Sequence, residues 1–489
     1  MNLENHFEKF RRNTIGFDAK ITTPYGEKPL VYADWIASGR LYGPIEEIIS
    51  SKIGPMVANT HSESSDTGMI MTNIYKQSHK IIKGHVNAAP DDIIITYGFG
   101  MTSVVNKLQR IMGLRVPEQA RRFCKIAPEE RPVVFLTHME HHSNHTSWLE
   151  TICDVVVLEP TDDLMVNPEN LRSEIAKYSD RVMKIGSFSA CSNVTGIETQ
   201  YHELAKIMHE NGGVCFVDFA ASAPYTRINM HPEDPMERLD AIFFSPHKFL
   251  GGPGSSGVLI MNASLHCNYA PDNSGGGTVD WTNRWGKYKY VNDIEAREDG
   301  GTPGFLQSIR AALAIEVKEQ MCCEKIRERE AQILHKIFRG FKAIPGIKIL
   351  ADNAEERIGA VSFYLENVHF NLVVRLLNDH FGIQVRGGCS CAGTYGHYLL
   401  HVDYNTSCKI TSKIDQGDLS EKPGWVRLSV HPTMTDAEVD YIIESVASVA
   451  ENAGKWGEDY YYDPHLNDYI HKTFPRKSPE DYRCWFNMD

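Results

Sequence analysis

The chain has 489 residues, of which 42% are hydrophobic and 23% charged, the balance of an ordinary globular protein long enough to bury one large core and a smaller one. Its formal net charge of −13 excludes the basic excess that non-specific nucleic-acid binding needs. No apolar run is long enough to span a membrane and Met1–His6 lacks the apolar core of a signal peptide, so a cytoplasmic location is expected; there, 11 scattered cysteines with no CxxC pair argue against disulfides and structural zinc.

Strand-like and helix-like segments alternate along the first 300 residues. Ile93-Ile94-Ile95-Thr96 reads as a buried strand, and Gly98 and Gly100 lead from it into a helical pattern through Val104–Leu108. Pro132–Thr137, Asp154–Leu158, Met183–Phe188 and Val214–Asp218 read as further strands, with an amphipathic helix over Leu204–Met208 that stops at Gly212-Gly213. Ala241–Phe244 and Gly257–Ile260 flank the Gly/Pro-rich turn Ser245–Gly254. This order predicts an α/β fold, a mostly parallel sheet with helices on both faces and a ligand at the C-terminal strand ends. From about residue 305 the pattern changes. One long helical stretch, Phe305 to Phe338, reads as a connector to an α+β unit with strands at Ile347–Leu350, Ala360–Phe363 and Trp425–Ser429, a helix through Val373–Leu377 and a last helix near Ala437–Val449. The Tyr-, Asp- and Pro-rich tail after Ala453 reads as irregular structure.

Two residues in this frame carry chemistry. Lys248 sits on a turn between two buried strands, where desolvation tunes an amine toward the nucleophile that forms a Schiff base. Ser245 and His247 beside it are suited to hold a phosphate, so the segment suggests a lysine tethered to pyridoxal phosphate. Asp218, 30 residues earlier at the end of a buried strand, is costly there without a cation, and a protonated pyridine nitrogen is such a cation. The bland alternatives are a surface hairpin with an incidental lysine and a turn-capping aspartate. His138, His141, His142 and His145 cluster without a HExxH pattern, and no metal is expected.

The order and spacing of motifs from Tyr32 to Ser429 resemble the class V aminotransferase group of pyridoxal-phosphate enzymes, and within it the cysteine desulfurase and selenocysteine lyase-like branch. The resemblance implies the fold type I architecture: a large domain with a mostly parallel sheet of the seven-stranded type and a smaller α+β C-terminal domain. It implies that Lys248 is the Schiff-base lysine and Asp218 the pyridinium partner. Glu140-His141-His142-Ser143-Asn144 with Trp148 is similar to EHHxN…W, which places His141 on the ring; Ser192-Asn193-Val194-Thr195-Gly196 is similar to SNxxG, which brings Asn193 to the cofactor's phenolic oxygen. Gly100-Met101-Thr102 resembles a helix start that binds phosphate through backbone N–H groups, completed by Ser245 and His247. Gly301-Thr302-Pro303 resembles the segment whose threonine reaches the phosphate of a second subunit, which implies a homodimer. On the substrate side, Val385–Ala392 resembles VRxGxxCA, which puts Cys391 on the reactive cysteine beside Arg386; Gly424–Ser429 resembles GxxRxS, with Arg427 clamping the substrate carboxylate; Tyr32–Gly39 resembles the strand that brings Ala37 to the substrate.

Three departures stand out. Ala221 occupies the position of a usual glutamine. The reactive loop reads Gly388-Cys389-Ser390-Cys391, which with Asn59-Thr60-His61-Ser62 resembles the desulfurase domain of molybdenum cofactor sulfurases. The interval from Cys391 to Arg427 is long, as in that branch, but the chain has no room for the sulfurases' extra C-terminal domain. The reading is therefore a homodimeric enzyme that removes sulfur from L-cysteine through a Cys391 persulfide, leaves alanine, and hands sulfur to an acceptor that can be a protein; Cys389 remains open as a second acceptor. The alternatives are a C–S lyase, selenocysteine lyase, aminotransferase or epimerase that does not use Cys391, and a non-catalytic sulfur-trafficking partner. The expected division is an N-terminal segment over 1–44 packing with the small domain, a cofactor-binding domain over 45–304, and a connector helix, small domain and tail over 305–489.

Overall fold

The computed structural model describes residues 3–61 and 64–488; Ser62, the last residue of the Asn59–Ser62 motif, lies outside the described residues. The β-branched and aromatic runs form a seven-stranded sheet from β1 (Asp92–Tyr97), β2 (Val133–Thr137), β3 (Asp154–Leu158), β4 (Lys184–Ser189), β5 (Val214–Asp218), β6 (Ala241–Phe244) and β7 (Gly257–Asn262), in the order β1-β7-β6-β5-β4-β2-β3. The pairs from β6 through β3 are parallel, and only β7 runs antiparallel to its neighbours β6 and β1. Successive side chains divide between the two faces. Ile94, Phe188, Val217, Ile242 and Ile260 join one core, and Ile95, Ile185, Phe216, Phe243 and Leu259 join the other. Helices α1 (Asp66–His85), α2 (Met101–Ile111), α3 (His142–Leu149) and α4 (Tyr201–Glu210) follow or cover these strands, so the expected α/β architecture is the observed one.

The stretch expected as one helix from 305 to 338 is two, α5 (Phe305–Met321) and α6 (Cys323–Lys342). Cys322 breaks it with φ 68°, a conformation no α-helix admits, and its N–H bonds the Lys318 and Glu319 carbonyls at 3.1 Å each. The charge-rich pattern across the junction hid the break, because both halves are good helix formers. Beyond it, β8 (Ile347–Ile349), β9 (Ala360–Leu365), β10 (Arg386–Gly388) and β11 (Trp425–Ser429) form an antiparallel sheet in the order β8-β9-β11-β10. It packs with α6, α7 (Phe370–Phe381) and α10 (Asp436–Gly457) around a second core. The long interval before β11 folds as α8 (Gly393–Leu399) and α9 (Tyr404–Asp415). The tail is more regular than expected: α10 runs on to Gly457, and β12 (Tyr460–Asp463) pairs with β13 (Asp468–His471). The buried Tyr460 anchors this hairpin, its hydroxyl donating to Asp379 at 2.7 Å.

The N-terminal segment is shared between cores: Val31 and Ala33 join the second, while Phe7, Phe10, Trp35, Ile36 and Tyr42 join that of the large sheet. Val31-Tyr32 pairs in parallel with Ile383-Gln384, and Asp34 bridges to Ser429. This carries Asp34 to Ala37 to the end of β11, facing the C-terminal ends of β4, β5 and β6.

Candidate active site

Asp218 is the last residue of β5 and lies buried, accepting the Ala220 N–H at 2.8 Å. Burial pushes its carboxyl up to about 7, against the Ala220 hydrogen bond and the attraction of Lys248. Lys248 ends a tight turn, Pro246–Lys248, directly after β6. The turn is closed by close backbone approach: a Cβ on Gly252 would stand 1.8 Å from the Pro246 carbonyl oxygen, so only glycine fits. Burial lowers the Lys248 ammonium to about 8, with Asp218 opposing and Arg427 and Arg386 assisting. The pair therefore sits at the end of adjacent parallel strands with both groups titrating near neutrality. Ala221 is buried on the same cleft and has no side-chain polar atom to offer.

The β1–α2 junction supplies a neutral cradle. Gly100 caps α2 with φ 77°, and a Cβ there would meet Ser245 Oγ at 2.8 Å. The Met101 N–H donates to Ser245 Oγ at 2.8 Å, and Thr102 and Ser143 share a hydroxyl contact of 2.6 Å. His247 stands against Gly100, and burial with the adjacent Lys248 lowers it to about 4, so it is neutral. Thr302 is not in this cleft. It is exposed, donates to Asn59 Oδ1 at 3.2 Å, and lines a neighbouring cavity of 690 Å³ that shares Phe99 and His247 with the cleft.

His141 caps α3, its Nδ1 accepting the Ser143 N–H at 3.1 Å, which leaves the ring proton on Nε2. Burial, with Lys248 next, lowers it to about 3. Glu140 before it is the residue whose role the sequence reading missed. Its buried carboxylate accepts Thr137 N–H (3.2 Å) and Oγ–H (2.7 Å), Ser189 N–H (2.9 Å) and Oγ–H (2.6 Å), and Asn144 Nδ2 (2.7 Å). It thereby ties β2, β4 and α3 together under the cleft. A buried acid inside a His-rich segment was the available signal.

The substrate side comes from the second core. Cys391, Arg386 and Arg427 line the cleft with Ile36, Ala37, Asn193, His141 and Lys248, around a volume of 210 Å³. Arg427 is 2% exposed. Its Nη2 donates to Asp34 Oδ1 at 2.5 Å and its Nη1 to the Asn193 carbonyl at 3.2 Å, while its buried Nε has no partner among the described residues. Asn193 Nδ2 donates to the Ser390 carbonyl at 2.7 Å, and its buried Oδ1 is likewise without a partner there. Ser390 and Cys391 both adopt left-handed backbone, φ 52° and 59°, in a turn closed by Ala392 N–H to the Cys389 carbonyl at 3.1 Å. Left-handed backbone at a non-glycine residue costs on the order of 1–3 kcal/mol. The two cysteines face different spaces: Cys391 lines the cleft, while Cys389 lines an apolar cavity of 140 Å³ with Ile410, Ile414 and Trp425. Of the four clustered histidines, only His141 lines the cleft; His138 bonds the Leu164 carbonyl at 3.1 Å, and His142 and His145 bond Gly393 and Thr394.

These residues fit pyridoxal phosphate. Asp218 is a buried acid in need of a cation at the cleft floor, Lys248 is an amine lowered to about 8 beside it, the α2 start with Ser245 and His247 forms a neutral cradle, and Asn193 Oδ1 is buried without a partner among the described residues. Among the described residues, no helix is long and apolar enough to cross a membrane.

Comparison with known proteins agrees with this geometry. Probable cysteine desulfurases of Staphylococcus aureus and Halalkalibacterium halodurans are each 26% identical to the chain, over 371 residues (75% of the chain, 84% of the relative) and 369 residues (74% and 84%) respectively. In fold, the chain is similar to the apo cysteine desulfurase of Thermococcus onnurineus, with a TM-score of 0.72 and 21% identity over 91% of the chain and 98% of that structure. It is also similar to the cysteine desulfurase CsdA of Escherichia coli, TM-score 0.70 and 21% identity over 92% and 98%. The family model described as Aminotransferase class-V matches residues 31–442, and the chain belongs to that family of pyridoxal-phosphate-dependent enzymes.

Proposed function

We propose that the protein is a cysteine desulfurase, taking sulfur from L-cysteine onto Cys391 and releasing alanine. The observation that carries this reading is the placement of the Cys391 turn in the same cleft as Lys248 and the buried Arg427. Lys248 would anchor the cofactor covalently, Asp218 would pair with its pyridine nitrogen, His141 would stack on its ring, Asn193 would meet its phenolic oxygen, and Gly100, Met101, Thr102, Ser245 and His247 would hold its phosphate. When bound, the cofactor withdraws electrons from the amino acid's α-carbon.

The chain's own residues do the rest. Arg427, pinned by Asp34 on the wall of the cleft, would bind the substrate carboxylate, with Arg386 at the rim and Ala37 leaving room beside it. Lys248, its ammonium lowered to about 8, is neutral in about a tenth of molecules at pH 7 and in about half at pH 8, far more than an ordinary lysine, and serves as the base for the α-proton in that form. The Cys391 thiolate forms a bond to the substrate sulfur as the carbon–sulfur bond breaks. The electron pair stays with the carbon fragment, which takes up one proton at Cβ, regains one at Cα from Lys248 and leaves as alanine; the sulfur stays on Cys391 as a persulfide. Sulfur then passes to a thiol acceptor. Exposed Thr302, on the cavity next to the cleft, would reach the cofactor phosphate of a second copy in a homodimeric working form; the proposed location is the cytoplasm.

The test is Cys391→Ala, incubated with L-cysteine and assayed for alanine, sulfide and protein-bound persulfide. Loss of all three, with the visible absorbance of the cofactor retained, is the expected result. Undiminished sulfur release by that variant sinks the proposal in favour of a lyase or aminotransferase.

A further inference from the structure

The strained turn that carries Cys391 is held from outside its own domain. His142, the first residue of α3, grips both sides of the cysteine. Its backbone N–H donates to the Cys391 carbonyl at 2.7 Å, and its Nε2 accepts the Gly393 N–H at 2.9 Å. Asn193 holds the preceding carbonyl, and His145, one turn further along α3, contacts Thr394 at 3.2 Å. With Nε2 accepting, the His142 ring is neutral and carries its proton on Nδ1. A left-handed pair such as Ser390-Cys391 persists only where its surroundings over-determine it. The contacts that do so here converge on the residue next to His141.

We propose that His142 is a positioning residue for Cys391, a clamp on the large domain that keeps the reactive turn in its left-handed form with the thiol presented to the cleft. It touches neither substrate nor cofactor: it is absent from the residues lining the cleft. The inference rests on the reading that Cys391 takes the substrate sulfur. Because His141 and His142 are adjacent on one helix start, the register between cofactor ring and nucleophile is set by a single peptide unit. A flexible loop would leave that register to chance.

The experiment compares holoenzyme with His142→Leu, which removes the acceptor, and His142→Gln, whose amide oxygen can replace it. For His142→Leu the expected result has three parts. The kcat for persulfide formation falls roughly 10-fold or more while KM for L-cysteine stays within about twofold, since misplacement alone slows reaction without weakening binding. Alkylation of Cys391 by iodoacetamide, followed by mass spectrometry, becomes several-fold faster. Deuterium exchange accelerates in the peptide covering residues 386–396 and not elsewhere. His142→Gln restores all three toward wild type. Unchanged kcat and alkylation in His142→Leu overturn the proposal, as does a loss that His142→Gln does not rescue. Should His142→Leu fail to fold, the wild-type enzyme decides: open-loop exchange at the Gly393 amide overturns it, and protection supports it. Full activity of Cys391→Ala removes the catalytic premise instead, a different outcome from failure of the clamp, which the alkylation and exchange measurements read on their own.

Discussion

A carboxylic acid at the end of a buried strand is a demanding residue to fold around. Asp218 titrates at about 7 in the folded chain against an ordinary value of 3.8, because burial disfavours its ionised form. The folded apoenzyme thus holds more protons than the unfolded chain between those values. The contribution of Asp218 to stability falls as pH rises from about 4 to 7, and its full cost is present above 7. Asp218→Asn removes this cost. In thermal melts of the apoenzymes, the variant is expected to melt higher than wild type at pH 8, with the gap shrinking toward pH 4, and to bind the cofactor more weakly at every pH. A variant that melts lower at pH 8 contradicts the account. Asp218 and Lys248 were both legible from the sequence because one is a charged residue ending an apolar strand and the other sits on the short turn between two such strands, each a local anomaly. Asp34 was not, since its partner Arg427 is 393 positions away and nothing near it in sequence shows the pairing.

At the scale of elements, the site is a meeting of strand ends and helix starts, and Glu140 is the joint. Five donors from β2, β4 and α3 converge on its carboxylate. Glu140→Ala orphans all of them and is expected to destabilise the protein on the order of 3 kcal/mol. The measurement is urea unfolding of apoenzyme, and a change within ~0.5 kcal/mol defeats the claim. The strands of the large sheet were readable to within a residue or so, because parallel strands buried on both faces give unbroken apolar runs. The break at Cys322 and the hairpin after Gly457 were not. A left-handed cysteine between two strong helical segments leaves no compositional mark, and the hairpin is made of polar and aromatic residues whose anchor, Asp379, is remote in sequence.

At the scale of the molecule, two cores face one another across the cleft, and each contributes half of the chemistry: amine, acid and cradle from the seven-stranded sheet, thiol and guanidinium from the smaller one. The change of pattern near residue 305 was visible in the sequence and the first forty-four residues were expected against the small domain, but the strand that Val31 pairs with, at Ile383, was not legible, because it is remote in sequence and leaves no local trace. The cradle at the start of α2 has its own large-scale consequence. Gly100, Met101, Thr102, Ser245 and His247 bring no cation, and the adjoining cavity adds Glu298 and Asp299. Grip on a phosphorylated ligand then comes from dipoles at contact distance, which a sodium chloride atmosphere hardly screens. In Lys248→Ala, where no covalent bond holds the cofactor, its dissociation constant is expected to shift less than about threefold between 0.05 and 1 M sodium chloride; a larger weakening would mean that mobile ions compete for the grip after all.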